Sequence, residues 1–377
     1  MKILKIGIIG GLTGNGHVSV LNTLRDEFEL QNVQVECYPD FYEKILLSNK
    51  ILSDYYNFLL SNSIALCNKY CEFTNIVKYD VSEDFYNGVR EKIIKFIQEN
   101  KFEILVSVIH TVNPAIIRII KELNMNSLLK FVIVITDPFI PIAVGYAVPG
   151  ADRYYCATPE VKQYLIQNKV AESKIKVLGY PINRKFHVKN DVKKTDRTIL
   201  INCGSQGNIS YFEFLKMIVE KVPEYKILMV CGKNKVLYKQ SYRYIAKNKL
   251  TNKVNIYGFV DQLDEILNKA SIVLTKPGAN SVFEAINCRV PLLIDATEGF
   301  IYQEKGIQTF LKKHRIGEIL DNKDEISEVL NKMLHEDNYI KYIQEMEKIE
   351  CANGGSEIVK DVLNLQSDYR KSNSLEN

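Results

Sequence analysis

SIVLTKPGANSVFEAINCRVPLLIDATEGFIYQE, residues 271–304, carries in one run the alternation that decides the fold. An apolar run of strand length (SIVLT) stops at a Pro-Gly turn and a helix follows. A second apolar strand (VPLLID) comes next, and a polar loop closes the stretch. Lys276, Pro277, Gly278, Ala279 and Asn280 stand where strand hands over to helix N-terminus. Backbone amides without intrahelical acceptors and the positive end of the helix dipole meet there, which makes an anion site. Glu284 and Glu304 add acceptors beside it, a mix suited to a sugar nucleotide with both phosphates and hydroxyls.

Upstream the same alternation recurs. Residues 198–203 read as a strand, and Gly204-Ser205-Gln206-Gly207-Asn208 precede a helix around 211–221. Strands at 226–231 and 254–257 end in Cys231-Gly232-Lys233-Asn234 and Tyr257-Gly258-Phe259-Val260, with helices at 239–247 and 263–269. Loops of this kind on one sheet edge, together with the Pro-Gly turn, point to a nucleotide pocket. Downstream, helices are expected near 325–334, 338–349 and 357–364.

The first half repeats the scheme. Strand 4–9 runs into Gly10-Gly11-Leu12-Thr13-Gly14-Asn15-Gly16-His17, a helix carries Val18, Leu21, Leu24 and Phe28 on one face, and strand 33–38 follows. Residues 41–73 form a long, mostly helical segment, more apolar and aromatic than a helix packed on one side requires. Strands at 104–109, 131–136, 151–157 and 174–178 alternate with helices at 89–97, 114–123 and 159–167, which calls for a parallel sheet covered on both faces. The expected fold is α/β, with two Rossmann-like doubly wound domains facing a central cleft. Their expected bounds are 1–182 and 198–365, with a polar, basic linker at 183–197 and a frayed tail at 366–377.

The bulk composition narrows the class. A chain of 377 residues exceeds one ordinary core, and 46% hydrophobic with 25% charged residues describes a globular protein. A net charge of +4 is too small to argue for nucleic acid, yet compatible with visiting an anionic surface. No apolar run reaches the ~18 residues that span a bilayer, and no signal-peptide pattern opens the chain. The eight cysteines form no C-x-x-C pair and several sit in apolar strands, so neither disulfide nor zinc is expected and the compartment reads as a reducing cytoplasm.

Each candidate residue has a structural alternative. The glycine loop departs from G-x-G-x-x-G at Ser19, but Glu36 lies about 20 residues on, so a dinucleotide fingerprint competes. His17 opens a helix and is either a surface residue or a base at the crevice end of the sheet. His110 and Asp137 follow strands, where they close turns or join His17 in the same crevice. Ser281 and Glu284 have the spacing of a capping box. On that reading the carboxylate only returns a hydrogen bond to the helix start.

Taken together these motifs resemble glycosyltransferase family 28, of the GT-B fold. Within it the chain is similar to processive diacylglycerol glucosyltransferases and monogalactosyldiacylglycerol synthases, and more distantly to the peptidoglycan N-acetylglucosaminyltransferase. The resemblance spans nearly the whole chain: GNGH (14–17), TDP (136–138), ADRYYCAT (151–158), KIKVLGYPI (174–182), VCGKN (230–234), YGFVDQLDEIL (257–267), TKPGANSVFEA (275–285) and QE (303–304). It implies that Phe259 and Val260 hold a uracil and Glu284 a ribose, and that Gly278, Ala279, Asn280 and Ser281 cradle a diphosphate. Gln303 and Glu304 would contact sugar hydroxyls, and Gly204, Ser205 and Gln206 would approach the phosphates. His17 would serve as base or acceptor-positioning group. The chain departs from the family in Ala279, where a second glycine is usual. It departs again after Thr136-Asp137, where Pro138-Phe139-Ile140-Pro141 replace the His and Trp common in lipid enzymes.

The expectation is an inverting transferase that moves a hexose from a UDP-sugar to a hydroxyl without metal or other cofactor. The preferred acceptor is diacylglycerol, reached by peripheral contact with an anionic membrane at its cytoplasmic face. Residues 41–73 would make that contact unless they pack as core. A soluble acceptor, a UDP-sugar 2-epimerase and a non-catalytic sensor remain alternatives. The choice of sugar, processivity and oligomeric state are not legible.

Overall fold

Ile6–Ile9 is buried at every position, as a central strand of a parallel sheet must be when helices cover both faces. In this computed structural model the structure describes residues 4–14, 16–188, 197–349 and 353–374. Asn15 of the glycine loop, 189–196 of the expected linker, Cys351 and the last residues of the expected tail, 375–377, lie outside them.

The chain divides into two compact units. The first begins β1 (Ile6–Ile9), α1 (Gly16–Leu30), β2 (Val35–Tyr38), α2 (Phe41–Ile45), α3 (Leu47–Asn62), α4 (Ile64–Val77) and α5 (Glu83–Asn100). It continues β3 (Ile104–Ser107), α6 (Asn113–Glu122), β4 (Lys130–Val134), β5 (Arg153–Cys156), α7 (Pro159–Gln167) and β6 (Ile175–Val177). Its strands pair in parallel in the order β2-β1-β3-β4-β5-β6, so the direction in which strands are added reverses between β1 and β3. The crevice beyond the carboxyl ends of those two strands is where such sheets bind ligands.

The second unit runs β7 (Thr198–Asn202), α8 (Tyr211–Lys221), β8 (Lys226–Val230), α9 (Lys235–Lys247), β9 (Val254–Tyr257), α10 (Leu263–Lys269) and β10 (Ile272–Thr275). Then come α11 (Ala279–Asn287), β11 (Leu292–Asp295), α12 (Ile307–His314), β12 (Gly317–Leu320), α13 (Ile326–Leu334) and α14 (Glu336–Glu347). The parallel order is β12-β11-β10-β7-β8-β9, the Rossmann order, with its switch point between β7 and β10. Its core gathers Ile199, Phe214, Ile227, Leu274 and Leu293 from strands and covering helix. Each unit is the doubly wound, Rossmann-like α/β domain expected from the sequence. Sequence reading passed over α12 and β12, because GEIL is short and carries a charge.

Three boundaries differ from expectation. The segment 41–73 is helical but breaks at Leu46 and Ser63 into α2, α3 and α4. The stretch Phe58–Asn68 clusters with the second unit, and residues 353–374 with the first. Helix α15 (Gly355–Ser374) packs on α1, and its Asp361 takes an ion pair from Arg153 at 3.1 Å and a hydrogen bond from the Tyr155 hydroxyl at 2.7 Å. The helix runs through to Ser374, past residue 366 where fraying is expected. Among the described residues no disulfide forms, and no helix is long and apolar enough to cross a membrane.

Candidate functional site

In the first unit the residues after β1, β3 and β4 converge. His17 Nδ1 lies 2.8 Å from the Val108 carbonyl oxygen and 3.1 Å from Thr136 Oγ1. The Tyr146 hydroxyl donates to the same carbonyl at 2.9 Å and lies 2.6 Å from Thr136 Oγ1. A carbonyl only accepts, so Nδ1 carries the imidazole proton and Nε2 keeps its lone pair. The tyrosine proton is committed to Val108, so Thr136 donates to Tyr146. Every proton of the network then has one place, and Nε2 is left with a free lone pair. Desolvation lowers the His17 pKa to about 4, against which the Val108 hydrogen bond acts, so the ring is neutral at physiological pH.

His110 joins this group, its ring centroid 6.3 Å from that of His17 and 5.6 Å from that of Tyr146. Burial, and then the charge of His17, lowers its pKa to about 3. Asp137 is used differently. Its Oδ2 accepts from the Ala143 amide at 2.8 Å and so braces the loop beyond, while burial raises its pKa to about 6. Sequence reading overlooked Tyr146, which lies in a loop without motif spacing, and Thr136 as a hydrogen-bonding partner.

The glycine loop is braced as well as permissive. The buried Glu43 of α2 accepts from the Leu12 amide and the Ser53 hydroxyl, both at 2.8 Å. Asn57 of α3 accepts from the Gly14 amide at 2.9 Å and donates to the Leu12 carbonyl at 3.2 Å. Glu36, which a dinucleotide site would need for ribose hydroxyls, is engaged by Lys5 at 3.0 Å and Tyr38 at 2.6 Å. Those contacts remove the feature that favoured the dinucleotide alternative.

Helices α3 and α4 leave a large apolar face in water. They bury Leu59, Cys67 and Cys71 together with Asn49 and Ser53, but leave Phe73 63% and Ile76 79% exposed. Leu66, Phe73, Ile76 and Val77 lie on one face of α4, with Lys69 beside them. On α3, Leu47, Ile51, Tyr55 and Phe58 share a face that also holds Asp54.

In the second unit the loops after β7 and β8 are tied together. Gly232 sits at φ +57, and a side chain there would strike the carbonyls of Gly204 and Ser205. The Lys233 amide donates to Ser205 O at 2.9 Å, and Asn234 Nδ2 donates to Gly207 O at 2.9 Å while its Oδ1 caps α9. Lys233 Nζ lies 5.5 Å from the Phe259 ring, which joins the loop after β9 to the same edge. Phe259 and Gln206 are exposed and Val260 is half-buried.

Across the switch point the Pro-Gly turn delivers α11. Gly278 is its N-cap and no side chain caps the end. Intrahelical bonding starts only at Val282 N to Gly278 O, so the amides of Ala279, Asn280 and Ser281 face out of the helix end. Lys276, partly buried in the turn, makes no ion pair among the described residues. Beside it Gln303 keeps a buried side-chain oxygen without a hydrogen-bond partner, and Glu304 Oε1 lies 3.8 Å from where a Gly278 Cβ would stand. Because the helix starts at Ala279, Glu284 lies a full turn beyond the capping position. The capping-box alternative therefore fails. Desolvation raises the Glu284 pKa to about 7, with Lys185 acting against it.

Comparison with known proteins adds an independent line. The model of the monogalactosyldiacylglycerol (MGDG) synthase family matches residues 17–182, and that of the glycosyltransferase family 28 C-terminal domain matches 198–362. The chain is 27% identical over 378 residues to the processive diacylglycerol beta-glucosyltransferase of Staphylococcus carnosus, covering 96% of this chain and 93% of the relative. Among solved structures it is similar to Acinetobacter baumannii MurG, with TM-score 0.61, 12% identity and coverage of 96% and 99%. It is also similar to the UDP-GlcNAc 2-epimerase of Methanocaldococcus jannaschii, with TM-score 0.57, 16% identity and coverage of 96% and 100%. Likeness at such identity establishes the fold alone.

Proposed function

The chain belongs to glycosyltransferase family 28 and is a hexosyltransferase, and from that premise we propose that it moves a hexose from a UDP-sugar to the hydroxyl of diacylglycerol, inverting the anomeric carbon. The donor reading rests on the uncapped start of α11 at the switch point of the second sheet. Its outward amides and Lys276 take the diphosphate, and the charge that grows as UDP departs is stabilised there without metal. Glu284 accepts from the ribose hydroxyls, Phe259 and Val260 flank the uracil, and Gly204, Ser205 and Gln206 approach the phosphates. The unpartnered oxygen of Gln303, with Glu304, faces the sugar hydroxyls.

His17 Nε2 takes the acceptor's hydroxyl proton as that oxygen bonds to the anomeric carbon. The bond from that carbon to the diphosphate breaks and its electron pair leaves on UDP. The lipid acceptor is supported by the exposed apolar face of α4. Leu66, Phe73, Ile76 and Val77 gain nothing from water, but do gain from the apolar edge of a bilayer. The proposed location is peripheral, at the cytoplasmic face of the membrane.

The test supplies mixed UDP-hexoses with diacylglycerol vesicles and reads products by mass spectrometry. Hexosyl-diacylglycerol is the expected product, and His17→Asn lowers its rate about a hundredfold or more while UDP binding persists. Transfer only to soluble acceptors overturns the lipid reading. Turnover of UDP-N-acetylglucosamine without acceptor overturns transfer itself. Near-normal turnover by the variant removes His17 from the chemistry.

A further inference from the structure

Helix α9 presents a face that hexosyl transfer does not use. Between Glu224 and Asp261 the chain carries eight Lys or Arg residues and no Asp or Glu, although its whole net charge is only +4. The rest of the chain is therefore net −4, and the positive charge of the molecule is concentrated in this segment. Lys235, Lys239, Arg243 and Lys247 recur at every fourth position of α9, so they follow one side of the helix. The opposite side is buried through Leu237, Ser241 and Ile245.

None of those four cations makes an ion pair among the described residues. Like charges at this spacing destabilise a helix by a few tenths of a kcal/mol per pair, so the stripe has no folding rationale. Beside it lie Tyr238 and Tyr242, their rings stacked at 6.3 Å and 17°, with Tyr242 52% and Val236 68% exposed. Tyrosines next to cations suit a surface whose charged layer overlies an apolar one. The two rings already stack on each other, which leaves no slot between them for a nucleobase.

We propose that this face of α9 docks on an anionic phospholipid bilayer, with the cations over headgroup phosphates and Tyr238, Tyr242 and Val236 at the interface. The inference rests on the membrane-lipid reading of the acceptor, and it adds a second, electrostatic contact on the donor-binding unit. Sedimentation of the whole protein with phosphatidylcholine vesicles, with and without phosphatidylglycerol, tests it. Wild type is expected to partition to the anionic vesicles, less so as salt rises. Lys239→Gln with Arg243→Gln is expected to weaken that partition about thirtyfold, at roughly 1 kcal/mol per charge.

Lys269→Gln with Lys312→Gln removes the same charge elsewhere and is expected to weaken it far less. Circular dichroism melting confirms the fold of each variant, and Tyr242→Ser provides a second variant that leaves the charge intact. Equal partition to neutral and anionic vesicles, or equal loss in both double variants, would each overturn the proposal. Because binding is read without turnover, a protein that docks this way but glycosylates no diacylglycerol overturns the acceptor reading alone.

Discussion

At the scale of single residues, the structure turns Glu284 from an ambiguous carboxylate into a titrating one. The spacing of Ser281 and Glu284 allowed either a cap or a ligand contact, and only the observed helix start at Ala279 separates them. Its raised pKa carries a sign. The folded protein holds this proton up to about pH 7, whereas an unfolded carboxyl releases it near 4.5, so stability falls as pH rises through that window. Glu284→Gln abolishes that loss. Urea unfolding should therefore find the variant gaining on wild type between about pH 5 and pH 8, by on the order of 2 kcal/mol. UDP affinity of wild type, measured by calorimetry, should rise over the same range, because ribose hydroxyls donate to the ionised form. An unchanging stability difference across pH would show that Glu284 ionises normally. His17 was legible as a residue at a crevice but not as a defined tautomer. That property belongs to Val108, Thr136 and Tyr146, far from it in sequence.

At the scale of elements, strands and helices were largely readable, because apolar runs and Pro or Gly punctuation are local signals. Residues 159–167, 211–221, 254–257 and 263–269 fold within the bounds that periodicity assigns. The loops were readable only as loops. Their mutual bracing depends on the parallel register that sets β7 beside β8. Gly232→Ala tests that bracing directly. The left-handed φ and the carbonyls of Gly204 and Ser205 should make the alanine cost about 2 kcal/mol or more, seen as a lower Tm. UDP-induced stabilisation should fall with it. An unchanged Tm together with full UDP stabilisation would mean that the two loops are independent. For residues 41–73 the sequence leaves core and docking surface open. Burial shows both at once, with Leu59, Cys67 and Cys71 in the core and Phe73 and Ile76 in water.

At the scale of the whole molecule, the two units do not follow the order of the chain. Helix α15 returns to the first unit, where Ile358, Val359 and Val362 are buried. Ile358→Ala should lower the stability of that unit by about 2–5 kcal/mol, read as an earlier calorimetric transition. A transition unmoved by the substitution would show that α15 is not part of the folded unit. By itself the sequence determined the fold class, the parallel strand–loop–helix alternation and the glycine-bearing loops at the strand ends, because those are written in local periodicity and turn chemistry. Tertiary structure alone decided which carboxylates and imidazoles shift their pKa values, which nitrogen of His17 carries the proton, where the last helix packs and which apolar face stays in water. Each of these depends on desolvation and on contacts between residues distant in the chain, and no local pattern encodes either.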